Sequence, residues 1–280
     1  MLNLPDFSTG TPKAIVLDLD ETTLNSNSQL DDRTRAALNA IHGLGIPIII
    51  ATSRPERVLP TLVGVDILEI SSLVQMNGTI ACGRAGLGGT FKRNLDLDDA
   101  RRCWNLIEKH APWAQRTLEV DGTQFAVNNE NFIQKLWAFD QKTSPKVISL
   151  DTALKIGPAK ISINGINQNL EPLAIKLDQK LSDRTIVFRS ANEMFLNVVP
   201  VEAGKSNAAA CLLKSATISL ADTLSFGDDF VDIDLIRYSG WSVAVENAIT
   251  QIKNIAKYRT ASNDNNGVAI VLERLVIALS

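Results

Sequence analysis

At 280 residues, with 45% hydrophobic and 21% charged residues, the chain can bury a substantial core as one large domain or two modest ones. A formal net charge of −3 and a pI near 5.5 argue against nonspecific nucleic-acid binding, which depends on many basic contacts to phosphates. Three widely spaced cysteines, Cys82, Cys103 and Cys211, give neither a disulfide framework nor a zinc signature, residues 1–10 lack a signal-peptide pattern, and no apolar run approaches the ~20 residues that span a bilayer. A cytoplasmic protein with no membrane partner is expected, and nothing in the sequence speaks to its oligomeric state.

The first strong signal is Ile15-Val16-Leu17-Asp18-Leu19-Asp20-Glu21-Thr22. This short β-branched run reads as a buried parallel strand that delivers two carboxylates to its carboxyl end, where open α/β sheets place their ligands. Next, Asp31 or Asp32 can cap a helix whose apolar positions Ala37, Leu38, Ile41 and Leu44 fall at helical spacing, stopped by Gly43 and Gly45. The run 46–51 is a second strand, ending in Thr52-Ser53-Arg54. Residues 73–76 form a third.

The middle of the chain reads differently. A Gly-rich hairpin is expected around 83–89, a helix over 96–110, and a strand-turn-strand over 116–128 that turns on Asp121-Gly122. Further elements follow at 160–163 (strand), 170–181 (helix) and 185–189 (strand). Core-like strands then return at 223–226 and 241–245. Helices alternating with strands predict an α/β fold: a doubly wound, Rossmann-like parallel sheet formed by 1–80 and 189–280, with an α/β cap, 81–188, inserted between them.

Several segments carry groups suited to phosphoryl chemistry. An aspartate is a weak nucleophile in water and needs a divalent metal, hard and oxygen-seeking like magnesium, to act on a phosphate. Asp18 could attack phosphorus while Asp20 protonates the leaving oxygen, although Asp-x-Asp also occurs as a loop cap. Thr52 and Arg54 offer a hydroxyl and a guanidinium to a phosphoryl group, or else form an ordinary turn before Pro55. Lys205 opens an alanine-rich helix and could neutralise an anion, or lie on the surface. Asp228 and Asp232, four residues apart, could hold a metal directly and through water, or simply complement a helix dipole.

The ordered set Asp18-Leu19-Asp20-Glu21-Thr22, Ala51-Thr52-Ser53-Arg54, Asn77-Gly78-Thr79-Ile80, Lys205 and Gly227-Asp228 to Asp232 resembles the haloacid dehalogenase-like hydrolases. More narrowly, it is similar to the Cof-type phosphatases with a large (C2-type, IIB) cap, as is the tail from Val243-Ala244-Val245-Glu246-Asn247-Ala248 to Ser262-Asn263-Asp264-Asn265-Asn266-Gly267. The resemblance implies Asp18 as the nucleophile that becomes an aspartyl-phosphate and Asp20 as general acid and base, its carbonyl also meeting the metal. It implies Thr52, Arg54 and Lys205 as phosphate-binding groups, Asp18, Asp20, Asp228 and Asp232 as the magnesium site, and Thr22 and Asn77 as structural supports.

Five positions depart from the family pattern. Glu21 and Ser53 stand where glycine is usual, Glu21 adding negative charge near the metal; Gly204-Lys205-Ser206 replaces Ser-Lys-Gly, and Val231 replaces an asparagine. The expected function is a magnesium-dependent phosphomonoester hydrolase for small phosphorylated metabolites such as sugar phosphates. The alternatives are a binding or regulatory protein on the same scaffold with weakened catalysis, and a phosphomutase. Substrate choice would lie in the cap, where Trp104, Trp113, Trp137 and Phe139 could stack on a ring but read more simply as core. His42 and His110 have no ligand spacing.

Overall fold

The apolar run after residue 13 forms the strand β1 (Ala14–Leu17), and each of its four residues is fully buried. Such a strand has no wet face, so it must sit inside a sheet covered on both sides. In the computed structural model, which describes residues 2–129, 146–190 and 193–280, β1 pairs in parallel with β2 (Ile48–Ala51) on one side and β12 (Thr223–Gly227) on the other. β3 (Ser71–Gln75) extends the sheet past β2, and the hairpin β4 (Ile80–Cys82) and β5 (Thr90–Lys92) closes that edge, β4 antiparallel to β3. On the other side follow β13 (Trp241–Ala244) and β14 (Tyr258–Arg259), giving the order β14-β13-β12-β1-β2-β3-β4-β5.

The helix Asp32–Gly43 buries Ala37, Leu38 and Ile41, while Leu44 is exposed at its end. The Asp31 carboxylate does not cap it; it accepts from Asn25 Nδ2 at 2.9 Å instead. The longer helix Gly267–Leu279 is tied to it by a bidentate pair, Arg33 to Glu273, at 2.7 Å.

A second sheet has the order β10-β11-β9-β6-β7-β8, with β6 (Gln115–Glu119), β7 (Gln124–Val127), β8 (Lys146–Val147), β9 (Lys160–Asn164), β10 (Thr185–Arg189) and β11 (Phe195–Pro200). It is antiparallel except for β7 with β8. Ile161, Ile163, Leu118, Leu196 and Val198 project from one face into a core shared with Ala100, Cys103, Trp104 and Ile107 of the helix Leu97–His110. Asp96 caps that helix, accepting from the backbone N–H groups of Asp98 and Asp99.

Two compact units result: residues 2–53, 62–91 and 204–280, and residues 54–61 and 92–203. Their limits differ from the expected insertion 81–188 at both ends. The hairpin β4–β5 is hydrogen-bonded into the eight-stranded sheet, and β11, which pairs with β9 and β10, belongs to the six-stranded one. The segment 54–61 also belongs to the second unit, through Arg57. Its guanidinium makes a bidentate pair with Glu119 at 2.6 and 2.9 Å and lies 4.1 Å from the Phe125 ring centroid.

Trp104 is buried in the second core and Trp113 is partly exposed; Trp137 and Phe139 lie outside the described residues. Among the described residues no helix is long and apolar enough to cross a membrane.

Candidate active site

Asp18 follows β1 directly, and its N–H donates to the Phe226 carbonyl at 3.3 Å, carrying the ladder with β12 one step past the strand. Adjacent parallel strands therefore end level with each other, and the residues just beyond them, Asp18 on one and Asp228 on the other, are neighbours. After Asp18 the chain reverses in a tight turn. The Leu19 carbonyl accepts from the N–H groups of Thr22, Thr23 and Leu24 at 3.3, 2.9 and 2.8 Å, and Thr23 Oγ1 donates to the Asp18 carbonyl at 2.5 Å. Thr22 is buried and donates through Oγ1 to Asp228 Oδ1 at 2.8 Å, a structural role as the motif implies. Asp20 lies half-buried within the turn.

Glu21 takes φ 55°, the left-handed region that favours glycine, which accounts for glycine as the usual residue there. Its side chain is exposed. What engages it is the backbone: the Glu21 carbonyl accepts from Asn247 Nδ2 at 2.6 Å.

Asp232 is fully buried. It closes the 3-10 turn Phe230–Asp232 before the helix Ile233–Tyr238, where an opening α-helix was expected, and its Oδ2 accepts from the backbone N–H of Asp228 and Asp229 at 3.2 and 3.3 Å. A Cβ on Gly227 would lie 2.6 Å from Asp232 Cβ, so only glycine at 227 leaves room for this carboxylate.

Lys205 begins the helix Lys205–Leu213 and is buried, with Nζ donating to Asp18 Oδ1 and, at 2.7 Å, to Asp232 Oδ1. Gly78 makes this possible, because a Cβ there would lie 2.2 Å from the Gly204 carbonyl oxygen. The neighbouring Asn77, at φ 59°, donates through Nδ2 to Ser53 Oγ at 2.9 Å and through its N–H to the Thr52 carbonyl at 3.1 Å. One Asn-Gly turn thus braces both the end of β2 and the start of the lysine helix. Thr52 is buried at the carboxyl end of β2, the strand next to β1. Arg54 opens the segment that packs with the second unit.

The carboxylates of Asp18, Asp228 and Asp232 each offer an oxygen within 4.8 Å of the others. Burial first, and then the neighbouring acids, push Asp18 up to about 7, against the pull of Lys205, and Asp228 up to about 10. Burial acts to lower the Lys205 pKa, but Asp18 and Asp232 outweigh it and hold the ammonium charged. Were all three acids ionised, one ammonium would leave two negative charges uncompensated in a buried space, and the raised values of Asp18 and Asp228 follow from that cost. The donor set is all oxygen, and a hard divalent cation would satisfy both the charge and the ligand type.

The convergence of Asp18, Asp228, Asp232 and Lys205 follows the sequence motifs. Asn247 and Asn263 were visible in the tail, but no role could be assigned to them: their partners lie 226 and 239 residues away.

The haloacid dehalogenase-like hydrolase family matches residues 15–272. The 5-amino-6-(5-phospho-D-ribitylamino)uracil phosphatase YwtE of Bacillus subtilis is 24% identical over 288 residues, covering 94% of this chain and 98% of its own length. The HMP-PP phosphatase of Klebsiella pneumoniae is 26% identical over 248 residues, 86% of each chain. Among solved structures, the HAD subclass IIB sugar phosphatase BT4131 superposes with a TM-score of 0.79 at 20% identity, covering 95% of this chain and 99% of that one. The fold and the match across nearly the whole length place the chain in the haloacid dehalogenase-like hydrolase family. Within that family, the relatives matched here are named as phosphatases.

Proposed function

We propose that the protein is a magnesium-dependent phosphomonoester hydrolase for small phosphorylated metabolites, sugar or polyol phosphates foremost, working through an aspartyl-phosphate on Asp18. One observation carries this reading: three buried or half-buried carboxylates, two just past the ends of adjacent strands and one from the turn that follows, lie within 4.8 Å of one another beside a buried lysine. The substrate class draws on the relatives, one named for a phosphorylated ribitylamino compound and another for a sugar phosphatase.

Asp18, Asp228, Asp232 and the Asp20 backbone carbonyl would hold the cation. When bound, it supplies positive charge that keeps Asp18 ionised and offsets its repulsion from a phosphate. Lys205 takes Asp18 Oδ1, which leaves Oδ2 to attack phosphorus. The new Asp18 O–P bond forms as the ester P–O bond breaks, and Asp20 gives its proton to the departing alkoxide. Asp20, now ionised, takes a proton from water as that water attacks phosphorus. Asp18 is released with inorganic phosphate and Asp20 is again protonated. Thr52, Arg54 and Lys205 bind the phosphoryl oxygens, the lysine and arginine countering charge as it builds.

A phosphate-release panel of sugar, nucleotide and cofactor monophosphates, with magnesium or chelator, tests this. Hydrolysis is expected with magnesium and is expected to vanish in Asp18→Asn, a variant that should keep the fold. No hydrolysis of any ester, alongside tight ligand binding, would point instead to a scaffold used for recognition.

A further inference from the structure

We propose that Asn247 is a positioning residue for the nucleophile loop, holding Glu21 in a backbone conformation that this chain, unlike one with glycine there, does not adopt freely. The functional half of this proposal rests on the phosphatase reading above.

The turn after Asp18 depends on residue 21. Its φ of 55° puts it where an L side chain crowds its own backbone. With Glu at this position, something outside the turn must favour the left-handed conformer. Asn247 is placed to do so: its Nδ2 donates to the Glu21 carbonyl at 2.6 Å, and that carbonyl turns away if the 21–22 peptide flips. Asn247 is itself held. Its Oδ1 accepts from the Asn263 N–H at 3.1 Å, and Asn263, buried, donates through Nδ2 to the Leu24 carbonyl at 3.1 Å. Ser26 is fastened to Asp264 by its N–H at 2.8 Å and its hydroxyl at 2.6 Å. The loop 21–26 is therefore clasped by two short segments from the last part of the chain.

The clasp bears on the site because Thr22 comes next. A flipped 21–22 peptide would shift Thr22, whose Oγ1 donates to Asp228 Oδ1 at 2.8 Å, and would swing the backbone of Asp20 on the other side. Asn247 touches none of the groups assigned to the reaction, and its own side chain is exposed. Its removal should leave the fold intact and disorder the turn.

The test is a double-mutant cycle between Asn247→Ala and Glu21→Gly, with Asn247→Asp as a control that keeps the Oδ1 acceptor for Asn263 and loses the donor to Glu21. Asn247→Ala and Asn247→Asp should each lower kcat by about five-fold, the size of one net hydrogen bond, with KM within about two-fold. Glu21→Gly should recover most of that loss, because glycine takes positive φ without help. The same cycle is read by amide hydrogen exchange across residues 19–26, which should quicken in Asn247→Ala and slow again when Glu21→Gly is added. Equal impairment of Asn247→Ala with Glu or Gly at 21, or unchanged exchange, overturns the clasp. A wild-type protein that hydrolyses nothing would instead count against the phosphatase reading, while the exchange measurement still decides the clasp.

Discussion

Lys205 Nζ lies 2.7 Å from Asp232 Oδ1, and both side chains are buried. The same ammonium donates to Asp18, so one cation joins the end of β1 to the turn that follows β12 through side chains alone. Lys205→Met leaves two buried carboxylates without their partner, and breaking a buried pair from one side costs about 3–5 kcal/mol. In chemical denaturation at pH 8 without metal, that loss is expected in full. It should shrink at pH 5, where Asp18 can take up a proton. A variant as stable as wild type at pH 8 would show that the lysine is not needed to keep these acids charged.

The raised Asp18 and Asp228 pKa values, about 7 and about 10, set a pH dependence. A carboxyl held above its unfolded value of ~3.9 binds its proton more tightly in the folded state, so its contribution to stability is complete at acid pH and fades as pH rises through the folded value. The Lys205 shift is also upward; its contribution is complete below the ordinary lysine value of ~10.4 and fades only in still more alkaline solution. The metal-free protein should therefore lose stability between about pH 4 and pH 10. Added magnesium should raise the melting temperature more at pH 8 than at pH 5.5, where protons compete for the same oxygens. Equal shifts at the two pH values would contradict the acidic cluster as the binding site.

Gly227→Ala is a steric probe that adds no charge. The new methyl would sit 2.6 Å from Asp232 Cβ and 2.8 Å from Cγ, and neither belongs to a flexible chain end. Displacing Asp232 should cost about 1–3 kcal/mol, as overpacking does, and weaken magnesium binding measured calorimetrically. Retained affinity would mean that Asp232 is dispensable to the cation.

In the second unit, Arg57 and Glu119 form a buried bidentate pair beside Phe125. Arg57→Met alone should destabilise by about 3–5 kcal/mol because Glu119 is left unpaired, whereas adding Glu119→Leu should restore much of it, since apolar replacements of buried pairs are often neutral. Urea unfolding of Arg57→Met, Glu119→Leu and the double variant measures this directly. Simple additivity of the two substitutions would show that the pair is not coupled.

Much of this architecture was legible in local sequence. The run 14–17 has no polar residue and is wholly buried; Asp96 announced its helix and caps it; Asp121-Gly122 turns between β6 and β7, the aspartate accepting from the N–H groups of Thr123 and Gln124. The strand β11 was not anticipated, its apolar run being broken by Asn197, whose Oδ1 accepts from Ser162 across the sheet. β5 shows no apolar signal because two of its three residues are exposed. Nothing in the local sequence singled out Arg57, since its partner is 62 positions away. The identities of Asp18, Lys205, Asp228 and Asp232 were readable from motifs. Their supports were not, because a backbone carbonyl such as that of Glu21 leaves no trace in residue type.

The proposed clasp on the turn after β1 has a consequence for synthesis. Thr22 waits for a residue 206 positions later, the Glu21 carbonyl for one 226 later, and Leu24 for one 239 later. On the ribosome, β1 can find β2 early, yet its other flank stays bare until residues 223–227 emerge. Contacts this distant are made late, so on the ribosome the cluster of Asp18, Asp228 and Asp232 would stay incomplete until residues 223–232 emerge, and the turn beside it would stay unbraced until residues 247–264 follow.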